Sequence, residues 1–446
     1  MFKKILIANR GEIAVRIIRA CREMEIETVA VYSEADRDAL HVQLADQAVC
    51  IGPAAASESY LNMERLISAT AATGAEAIHP GFGFLSENSK FVRMCQKCNI
   101  AFIGPSAEVI ERMGNKSQAR TTMMEAGVPV VPGTKEPVYK WEEGLKLAET
   151  IGYPVIVKAS SGGGGKGMRV VTASEEFQKN FLSAQIESEK AFGDNTMYIE
   201  KYIERPRHIE VQILADQHGN VIQLGERDCS IQRRHQKMIE ESPSSAINEE
   251  QRKKLGETAV RAAKAAEYEN AGTIEFLLDK NGDFYFMEMN TRIQVEHPVT
   301  EMVTGLDLIK EQIAIAAGEP LSISQEEVTI QGHAIECRIN AENPQKNFMP
   351  CPGRIEELYL PGGNGVRIDT ALYGGYRIPA NYDSMIAKVI VHARDRESAI
   401  RKMRSALGEV IVEGIDTNVD FQYEILSHPD YIEGNVTTFF IEENFA

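Results

Sequence analysis

The hydrophobic period of the first 33 residues changes twice, and this change constrains the fold more than any other feature of the chain. Residues 4–7 form a short apolar run, residues 13–21 repeat apolar side chains at helical spacing, and residues 28–31 are again apolar. A strand, an amphipathic helix and a second strand produce these periods. The chain therefore begins with a βαβ unit, which is typical of an α/β domain.

The alternation of strands and helices continues through "IAFIGPS", residues 100–106. It predicts a doubly wound sheet in a domain that ends near residue 113. The first turn, at Asn9 to Glu12, is not the GxGxxG sequence of dinucleotide-binding domains, so a dinucleotide site is poorly supported.

The charge of the chain excludes two classes of partner. The 446 residues include 48 Lys and Arg against 65 Asp and Glu, a formal charge of −17 that repels nucleic-acid backbones and anionic membranes. No apolar run approaches the roughly 18 residues that cross a bilayer, and "MFKKILIANRGE" lacks a signal-peptide pattern. We therefore expect a cytoplasmic protein that binds neither nucleic acid nor membranes.

The seven cysteines are an odd number spread over a long chain, which argues against a disulfide framework. They indicate a reducing compartment instead. Cys95 and Cys98 could form half of a zinc site, but no second pair stands at ligand spacing, so we interpret them as ordinary residues near a helix end.

A glycine-rich loop separates two apolar runs in "YPVIVKASSGGGGKGMRVV", residues 153–171. A Walker A loop needs Ser or Thr after its lysine and then a helix, whereas here Met168 and a strand follow. We interpret the segment as a hairpin lid whose glycine N–H groups can approach phosphates. A plain surface linker is the alternative, but it does not account for Lys158 and Lys166. Further strands are predicted at residues 208–225 and 272–292, with a helix from Glu249 to Tyr268 between them.

The dipeptide Asn281-Gly282 stands between two alternating apolar runs and predicts a two-residue type I′ hairpin. Counting outward from a pairing of 280 with 283 places Glu275 opposite Glu288. Two facing carboxylates repel each other, and apolar neighbours add a desolvation cost. With the Asn290 amide oxygen on the same face, they predict a Mg²⁺ or Mn²⁺ site; two solvated glutamates are the alternative.

The strand pattern continues through "EMNTRIQVEH", residues 288–297, where polar residues occupy every second position. Past Asn290 this face presents Arg292, Gln294 and Glu296, about 6.6 Å apart if the strand is regular. Metal ligands, an anion-binding arginine and a potential base on one face predict a nucleoside triphosphate held beside a second anion. The segment "RDCSIQRRHQKMIE" adds a cationic cluster that an ordinary solvated loop also explains: Arg227, Arg233, Arg234, His235 and Lys237.

A series of motifs resembles, in content and order, those of the biotin carboxylases of the ATP-grasp superfamily. They are "ILIANRGEIAVRIIRA", "HPGFGFLSEN", "GNK", "VIVKASSGGGGKGMRVV", "IEKYIERPRHIEVQI", "ERDCSIQRRHQK", "EMNTRIQVEHPVTE", "GHAIECRINAE" and "YDSMIAKVI". The resemblance implies an α/β protein, α+β in its C-terminal part, with an ATP-grasp fold. The implied parts are an N-terminal Rossmann-like domain (1–113), a linker with a mobile lid (114–203), a catalytic core (204–330) and a C-terminal mixed α/β domain (331–446).

Matched residue by residue, the resemblance also implies the site. ATP would contact Lys116, Lys158, Gly164, Gly165, Glu200, Lys201, Tyr202, Ile203, His208, Gln232, His235, Glu275 and Glu288. The metal would bind Glu275, Glu288 and Asn290; bicarbonate would bind Lys237, Arg292, Gln294, the Val295 backbone and Glu296; biotin would bind Phe82, Gly83 and Arg338. Phe82 stands where members of the family often carry Tyr, so a hydroxyl contact to biotin is not expected here. Asn115 stands where other members carry an acid.

The implied reaction is MgATP-dependent carboxylation of the ureido nitrogen of biotin, with Lys237, Arg292, Glu296 and Arg338 as catalytic residues. Glu296, kept ionised by adjacent cations, would act as base on bicarbonate, which attacks the γ-phosphate to give carboxyphosphate. The phosphate released with CO₂ then removes the biotin proton. Arg338, on a strand that alternation predicts to be half-buried, would stabilise the resulting anion.

The resemblance further implies the first half-reaction of an acetyl-CoA carboxylase in fatty acid (malonyl-CoA) synthesis, with the carboxyltransferase of the same complex as partner. A component of a pyruvate, propionyl-CoA or other acyl-CoA carboxylase and a catalytically silent ATP- or carrier-binding module are the alternatives. Because "QKMI" and "RKMR" lack the Met-Lys-Met core of a biotinyl carrier, we expect the biotin carboxyl carrier protein to be a separate polypeptide. The chain starts at Met1 and ends soon after the family's C-terminal domain, so we do not expect a fragment of a larger carboxylase. Arg16 and Arg19 match positions near a homodimer interface.

Overall fold

A computed structural model describes residues 1–159 and 167–445 of the chain. These residues form two compact units. The larger unit contains residues 1–119, 207–276 and 288–446, and the smaller unit contains residues 120–206 and 277–287. The domain boundaries at residues 113, 203 and 330 stay predictions.

The larger unit begins with a parallel sheet. Its strands are β1 Lys4–Ile7, β2 Glu27–Ser33, β3 Gln47–Gly52, β4 Ala77–His79 and β5 Ala101–Phe102, and its helices are α1 Gly11–Glu23, α2 Leu40–Leu44, α3 Met63–Thr73, α4 Ser89–Lys97 and α5 Ala107–Gly114. The strands pair in the order β3-β2-β1-β4-β5. Ile5 and Ile7 of β1 pack with Ile13 and Ile17 of α1 because both elements turn their apolar sides toward each other. The predicted βαβ unit and doubly wound sheet are confirmed.

The smaller unit is built around a three-stranded antiparallel sheet. Its helices and strands are α6 Lys116–Glu125, which begins in the larger unit, α7 Trp141–Ile151, β6 Val155–Ala159, β7 Met168–Val171, α8 Ser174–Phe192 and β8 Met197–Lys201. The strand order is β7-β6-β8, with Val155 opposite Val171 and Lys158 opposite Met168. This pairing confirms the predicted hairpin. The loop itself, residues 160–166 with Gly164 and Gly165, lies outside the described residues.

An eight-stranded sheet and two two-stranded sheets, β15-β16 and β17-β20, form the rest of the fold. The strands are β9 Arg207–Ala215, β10 Val221–Arg233, β11 Gln236–Ser242, β12 Asn270–Leu278, β13 Phe284–Asn290, β14 His333–Asn340, β15 Glu342–Asn343, β16 Met349–Pro350, β17 Leu358–Tyr359, β18 Val366–Thr370, β19 Met385–Ala393 and β20 Ile411–Val412. Eight of them pair in the order β13-β12-β9-β10-β11-β14-β19-β18. The helices are α9 Glu249–Ala265, α10 His297–Thr304, α11 Leu308–Ala316, α12 Arg396–Glu409, α13 Val419–Ser427, α14 Pro429–Glu433 and α15 Phe440–Asn444. Helix α9 confirms the helix predicted from Glu249, where Asn248 and Gln251 form a capping box.

Strand β14 has apolar side chains on one side and the polar side chains of Glu336 and Arg338 on the other. Ile335, Cys337 and Ile339 lie in a buried cluster with Val389 and Val391 of β19. The opposite side is also covered, since α10 packs on β14, and Glu336 is fully buried there. The prediction of a half-buried strand therefore holds at Arg338 and Asn340, which are partly exposed, and was wrong at Glu336, because alternation in the sequence does not reveal a helix that covers part of the polar face.

The turn between β12 and β13 differs from the predicted type I′ hairpin. The Asp279 N–H donates to the Asp283 carbonyl and the Gly282 N–H to the Asp279 carbonyl, so the loop has three residues. In this turn only Gly282 has a positive φ, +86°, whereas a type I′ turn needs two such residues. The Asp279 carboxylate accepts from the N–H groups of Asn281 and Asp283 and stabilises the wider loop.

This turn also changes the predicted pairing of the two glutamates. Regular strands counted outward from Asp279 and Asp283 would place Met287, not Glu288, opposite Glu275. The burial of β13 alternates up to Phe286 and then breaks, because Met287 and Glu288 are both exposed. Strand β13 ends at Asn290, so the prediction of one regular polar strand through Glu296 was wrong.

Candidate active site

Lys237 lies at the centre of a cluster of carboxylates on the sheet of the larger unit. Its ammonium is 2.6 Å from Glu210 of β9, 2.9 Å from Glu275 of β12 and 2.7 Å from Glu296. Glu210 and Glu296 are fully buried and Glu275 nearly so. An ammonium has three N–H donors, so these carboxylates use all of them.

Glu296 is held at both carboxylate oxygens by different cations. Lys237 donates to Oε1 at 2.7 Å and Arg338 donates to Oε2 at 2.8 Å. Burial by itself would raise the pKa of Glu296, but Lys237 and then Arg338 outweigh burial and hold the pKa well below its usual range. Glu296 is also the residue that precedes α10, with φ −83° and ψ 11°. The predicted base is thus ionised at neutral pH and fixed in place.

Arg338 has a second carboxylate partner that the sequence did not indicate. Its Nε donates to Oε1 of Glu240 at 2.6 Å. Burial raises the pKa of Glu240 to about 7, even though Arg338 acts in the opposite direction. The guanidinium therefore spans two buried carboxyl groups from neighbouring elements, Glu240 on β11 and Glu296 before α10.

Residues 291–295 form an irregular segment between β13 and α10, and this segment carries the predicted anion-binding groups. Arg292 donates from Nε to Glu87 at 3.1 Å, from Nη2 to the Asn290 amide oxygen at 3.1 Å and from Nη1 to the Gln294 amide oxygen at 3.3 Å. Gln294 in turn donates to Glu275 at 3.0 Å. Gln294 shares Glu275 with Lys237, which binds Glu296. A chain of side-chain contacts, and not a continuous strand, therefore links Arg292, Gln294 and Glu296.

The predicted metal ligands offer oxygen donors in a crowded acidic environment. The Asn290 amide nitrogen donates to Glu275 at 2.8 Å, so Asn290 and Glu275 face each other. Partial burial and then the Glu275 carboxylate raise the pKa of Glu288, although its side chain remains exposed. Such repulsion is what a divalent cation relieves, and carboxylate and amide oxygens suit Mg²⁺ or Mn²⁺. The residues therefore fit the predicted metal.

His208 adds a further ligand type beside this group. Its Nε2 is 3.0 Å from Glu275, and the Gln232 amide donates to its Nδ1 at 2.7 Å. His208, Glu210 and Glu275 each place a ligand atom within 4.8 Å of the others. Burial by itself would raise the pKa of Glu275, but Lys237 and then His208 outweigh burial and hold that pKa well below its usual range.

The predicted ATP residues fall in both units. In the larger unit, His208 and Gln232 contact each other, His235 is exposed in the turn between β10 and β11, and Lys116 is exposed at the start of α6. The predicted residues of the smaller unit are Lys158, Glu200, Lys201, Tyr202 and Ile203.

Within the smaller unit, Glu200 joins two cations. Lys158 forms an ion pair with it, and Arg120 lies 3.5 Å from it. Lys201 instead donates to the carbonyls of Gly152 and Tyr153 at 3.0 and 2.9 Å, so its ammonium stabilises the chain before β6.

The predicted biotin residues Phe82 and Gly83 lie in the loop after β4. The Asn9 amide donates to the Phe82 carbonyl at 2.7 Å, and the Phe82 ring packs against the cluster that contains Ile13. Gly83 has a φ of +69°, which favours glycine.

The cationic cluster predicted at residues 227–237 does not form one patch. Arg227 is fully buried and donates to Glu210 at 2.6 Å, whereas Arg233 donates to Asn347 at 2.7 Å on the exposed side. Lys237 and Arg227 both bind Glu210 of the carboxylate cluster described above, whereas Arg233 and Arg234 bind Asn347. Irregular pairing of β10 with β11 between Asp228 and Gln232 breaks the alternation of β10, so Arg227 and Arg233 do not lie on the same face.

Three partners of the predicted site residues were not predicted from the sequence: Glu87, Glu210 and Glu240. Each lies far along the chain from the residue it binds, as Glu87 does from Arg292. The alternation of His208, Glu210 and Gln212 in "RHIEVQI" was a usable signal for one polar face. Cys95 lies in the last turn of α4 and Cys98 directly follows this helix, so both lie near a helix end.

Family models cover almost the whole chain. The biotin carboxylase N-terminal domain matches residues 1–110, the ATP binding domain of the carbamoyl-phosphate synthase L chain matches residues 115–324, and the biotin carboxylase C-terminal domain matches residues 336–443. Biotin carboxylase 1 of Bacillus subtilis is 59% identical over 99% of this chain and 98% of its own length. The chain belongs to the biotin carboxylase family. The resemblance seen in the motifs is therefore confirmed. The protein is an enzyme with biotin carboxylase activity, which makes it an ATP-dependent ligase.

Other biotin carboxylases and their relatives extend this result. One component of the pyruvate carboxylase of Methanothermobacter thermautotrophicus is 54% identical over 99% of this chain and 90% of its own length. The biotin carboxylase of Campylobacter jejuni, solved in a complex with ATP, is 53% identical with a TM-score of 0.94 over 100% of this chain and 99% of that chain. The biotin carboxylase domain dimer of Hydrogenobacter thermophilus 2-oxoglutarate carboxylase, solved with MgADP and bicarbonate, is 52% identical with a TM-score of 0.92, over 99% and 98%. The ATP-grasp fold is thus confirmed.

The helices of this biotin carboxylase do not meet the requirements of a membrane span. Across residues 1–159 and 167–445, none is both long enough and apolar enough to cross a bilayer.

Proposed function

We propose that Glu296 is the base that activates bicarbonate in this enzyme. The proposal rests on two hydrogen bonds to its carboxylate, from Lys237 at 2.7 Å and from Arg338 at 2.8 Å. A base must be ionised before its substrate arrives, and two buried cations supply that condition. Glu296 takes the bicarbonate proton, and the bicarbonate oxygen then attacks the γ-phosphate of ATP to give carboxyphosphate and ADP.

The bicarbonate anion is bound by Arg292, Gln294, the Val295 N–H and Lys237 in this proposal. Arg292 already bonds Glu87, and Lys237 already bonds three carboxylates. A new anion contact to Lys237 therefore replaces one of its existing bonds, since no N–H of the ammonium is spare. Binding of bicarbonate and a shift of Lys237 away from one glutamate are coupled.

The divalent metal is proposed to bind Glu275, Glu288 and Asn290. Mg²⁺ or Mn²⁺ supplies charge stabilisation for the phosphates when bound. In this proposal the residues that contact ATP are Lys116, Lys158, Glu200, Lys201, Tyr202, Ile203, His208, Gln232 and His235, with Gly164 and Gly165 of the loop outside the described residues.

Arg338, Phe82 and Gly83 form the biotin site in this proposal, and Arg338 acts in the second half of the reaction. Carboxyphosphate breaks down to CO₂ and phosphate, the phosphate takes the proton of the ureido nitrogen, and that nitrogen attacks CO₂. The guanidinium of Arg338 stabilises the negative charge on the ureido oxygen.

The final acceptor is proposed to be acetyl-CoA, through a separate biotin carboxyl carrier protein and a separate carboxyltransferase in the cytoplasm. The resemblance of the motifs supports acetyl-CoA, since the relative with 59% identity is named a biotin carboxylase without a stated acceptor. The pyruvate carboxylase component with 54% identity supports a pyruvate carboxylase as the second candidate. Affinity purification of the chain from its native cell, followed by identification of the biotinylated protein and its CoA-dependent or pyruvate-dependent activity, decides between them. A pyruvate-dependent complex contradicts the acetyl-CoA proposal.

A homodimer is proposed on the strength of the related dimer of the Hydrogenobacter domain. Arg16, one of the two residues matched to an interface, is buried and binds Glu301 and Asp307 of its own chain at 3.0 and 2.6 Å, whereas Arg19 is exposed. Light scattering of the purified chain measures its mass in solution and so tests the oligomeric state. The mass of a single chain at micromolar concentration would contradict the dimer.

A further inference from the structure

Two buried side chains hold the backbone of residues 294–296. Lys388 of β19 donates to the Val295 carbonyl at 2.8 Å, and Nδ1 of His297 is 2.8 Å from the Gln294 carbonyl. Both side chains are fully buried. Because a carbonyl oxygen only accepts, Nδ1 of His297 carries the proton in this bond. Two consecutive peptide groups are therefore each fixed by one buried donor.

The fixed carbonyls determine where the N–H groups of the same peptides point. In a trans peptide the N–H lies opposite the C=O. The Gln294 carbonyl shares its peptide with the Val295 N–H, and the Val295 carbonyl shares its peptide with the Glu296 N–H. In the described part of the chain, neither N–H donates to another protein group. Two unused donors thus face away from Lys388 and His297, next to the Glu296 carboxylate.

Lys388 is also tied to the residue that holds Glu296. It lies directly opposite Arg338 in the pairing of β14 with β19. Arg338 binds the side chain of Glu296, and Lys388 binds the carbonyl of the residue before it. Neighbouring positions on two paired strands therefore hold neighbouring residues of one segment.

The ammonium of Lys388 is balanced by carboxylates on its other side. Glu12 of α1 lies 3.2 Å away and Asp369 of β18 lies 3.8 Å away, both buried. A buried ammonium is costly unless it is paired, so these carboxylates make its burial possible. Lys388 belongs to the motif "YDSMIAKVI", and the residues assigned to ATP, bicarbonate and biotin leave that motif without a role.

We propose that Lys388 is a positioning residue for bicarbonate: through the Val295 carbonyl it orients the 294–296 backbone so that its N–H groups meet the anion. The proposal rests on the bicarbonate site proposed above. Lys388 does not touch the substrate. Its effect should therefore appear in the KM for bicarbonate and leave the KM for ATP at its wild-type value.

The test uses Lys388→Met in the full chain, with bicarbonate-dependent ATP hydrolysis measured in the presence of free biotin. We expect the KM for bicarbonate to rise at least about tenfold. A substitution away from the reacting atoms that misplaces a substrate-binding group has effects of this size or larger. Thermal unfolding is measured in parallel, because the substitution leaves the buried Glu12 without its cation and lowers the melting temperature.

The double variant Lys388→Met/Glu12→Gln separates positioning from stability. Removing the unpaired carboxylate should recover the melting temperature and leave the KM for bicarbonate raised. Recovery of both quantities would show that Lys388 is only structural and would overturn the proposal. The single variant Glu12→Gln is the matched control, with an unchanged KM for bicarbonate expected. If Lys388→Met does not fold, the double variant carries the same test.

Arg292→Ala distinguishes failure of this proposal from failure of the bicarbonate site. A raised KM for bicarbonate in Arg292→Ala with an unchanged KM in Lys388→Met contradicts the positioning role alone. An unchanged KM in Arg292→Ala contradicts the bicarbonate site, and the positioning role with it, whatever Lys388→Met shows.

Discussion

Arg338 donates a hydrogen bond of 2.8 Å to the carboxylate of Glu296. This contact links the residue proposed for the biotin half of the reaction to the base proposed for the bicarbonate half. The two roles are therefore not fully independent. A substitution of Arg338 affects the biotin anion directly and the ionisation of Glu296 indirectly, and the two effects can be separated by measuring ADP and carboxybiotin together.

For Arg338→Gln we expect carboxybiotin formation to fall by about 10²-fold or more, as is usual when one charge contact to a developing anion is removed. Bicarbonate-dependent ATP hydrolysis should fall less, because Lys237 still holds Glu296. Arg338 lowers the pKa of Glu296, so its removal raises that pKa and moves the acid limb of the ATP hydrolysis profile to higher pH. Equal losses of ADP and carboxybiotin would place Arg338 in the first half-reaction.

For Glu296→Gln we expect ADP release and carboxybiotin formation to fall together, by about 10²-fold or more, because the base acts before the two activities diverge. Glu241→Gln is the matched control. Glu241 is likewise a buried carboxylate with two basic side chains, His333 and Arg396, each 2.7 Å away, but it lies apart from the Lys237 cluster. The control should lose stability and keep its activity. Wild-type ADP release by Glu296→Gln would remove this residue from the mechanism.

For Glu288→Gln we expect strongly reduced ATP hydrolysis but no loss of thermal stability without metal. Burial and Glu275 raise the pKa of Glu288, so the ionised form at neutral pH is less favourable in the folded chain than in the unfolded chain. The neutral amide removes this repulsion. Added Mg²⁺ or Mn²⁺ should raise the melting temperature of the wild type more than that of the variant. A clearly lower melting temperature of the metal-free variant would contradict the repulsion between the two glutamates.

Stability should depend on the ionisation of Glu241 at acid pH. Burial would raise its pKa, but His333 and Arg396 outweigh burial and lower the pKa to about 2 from a usual value of 4.5. A lowered carboxyl pKa stabilises the fold above the unfolded-state pKa, and this contribution, of the order of 3 kcal/mol, is lost as the pH falls from about 5 toward 2. The difference in unfolding free energy between wild type and Glu241→Gln should therefore shrink over this range. A pH-independent difference would contradict the ion pairs.

The family, the order of the parts and most of the site could be predicted from the sequence, because they depend on local pattern. The βαβ start follows from a change of hydrophobic period, and the Lys237, Arg292, Glu296 and Arg338 positions follow from motifs that resemble a known family. Local rules failed at the turn between β12 and β13. There the carboxylate of Asp279 caps a three-residue loop, and a rule based on Asn281-Gly282 does not include that side chain.

The partners of the site residues required the folded chain. Glu87, Glu210, Glu240 and Lys388 come from separate strands and loops, and no spacing in the sequence relates them to the groups they bind. The ionisation of Glu296 is the clearest case: burial opposes it, and the approach of Lys237 from β11, Arg338 from β14 and Arg227 from β10 reverses the balance. Charge interactions of this kind depend on distance and on removal from water. Both quantities are set when strands far apart in the sequence pair and a helix closes over them.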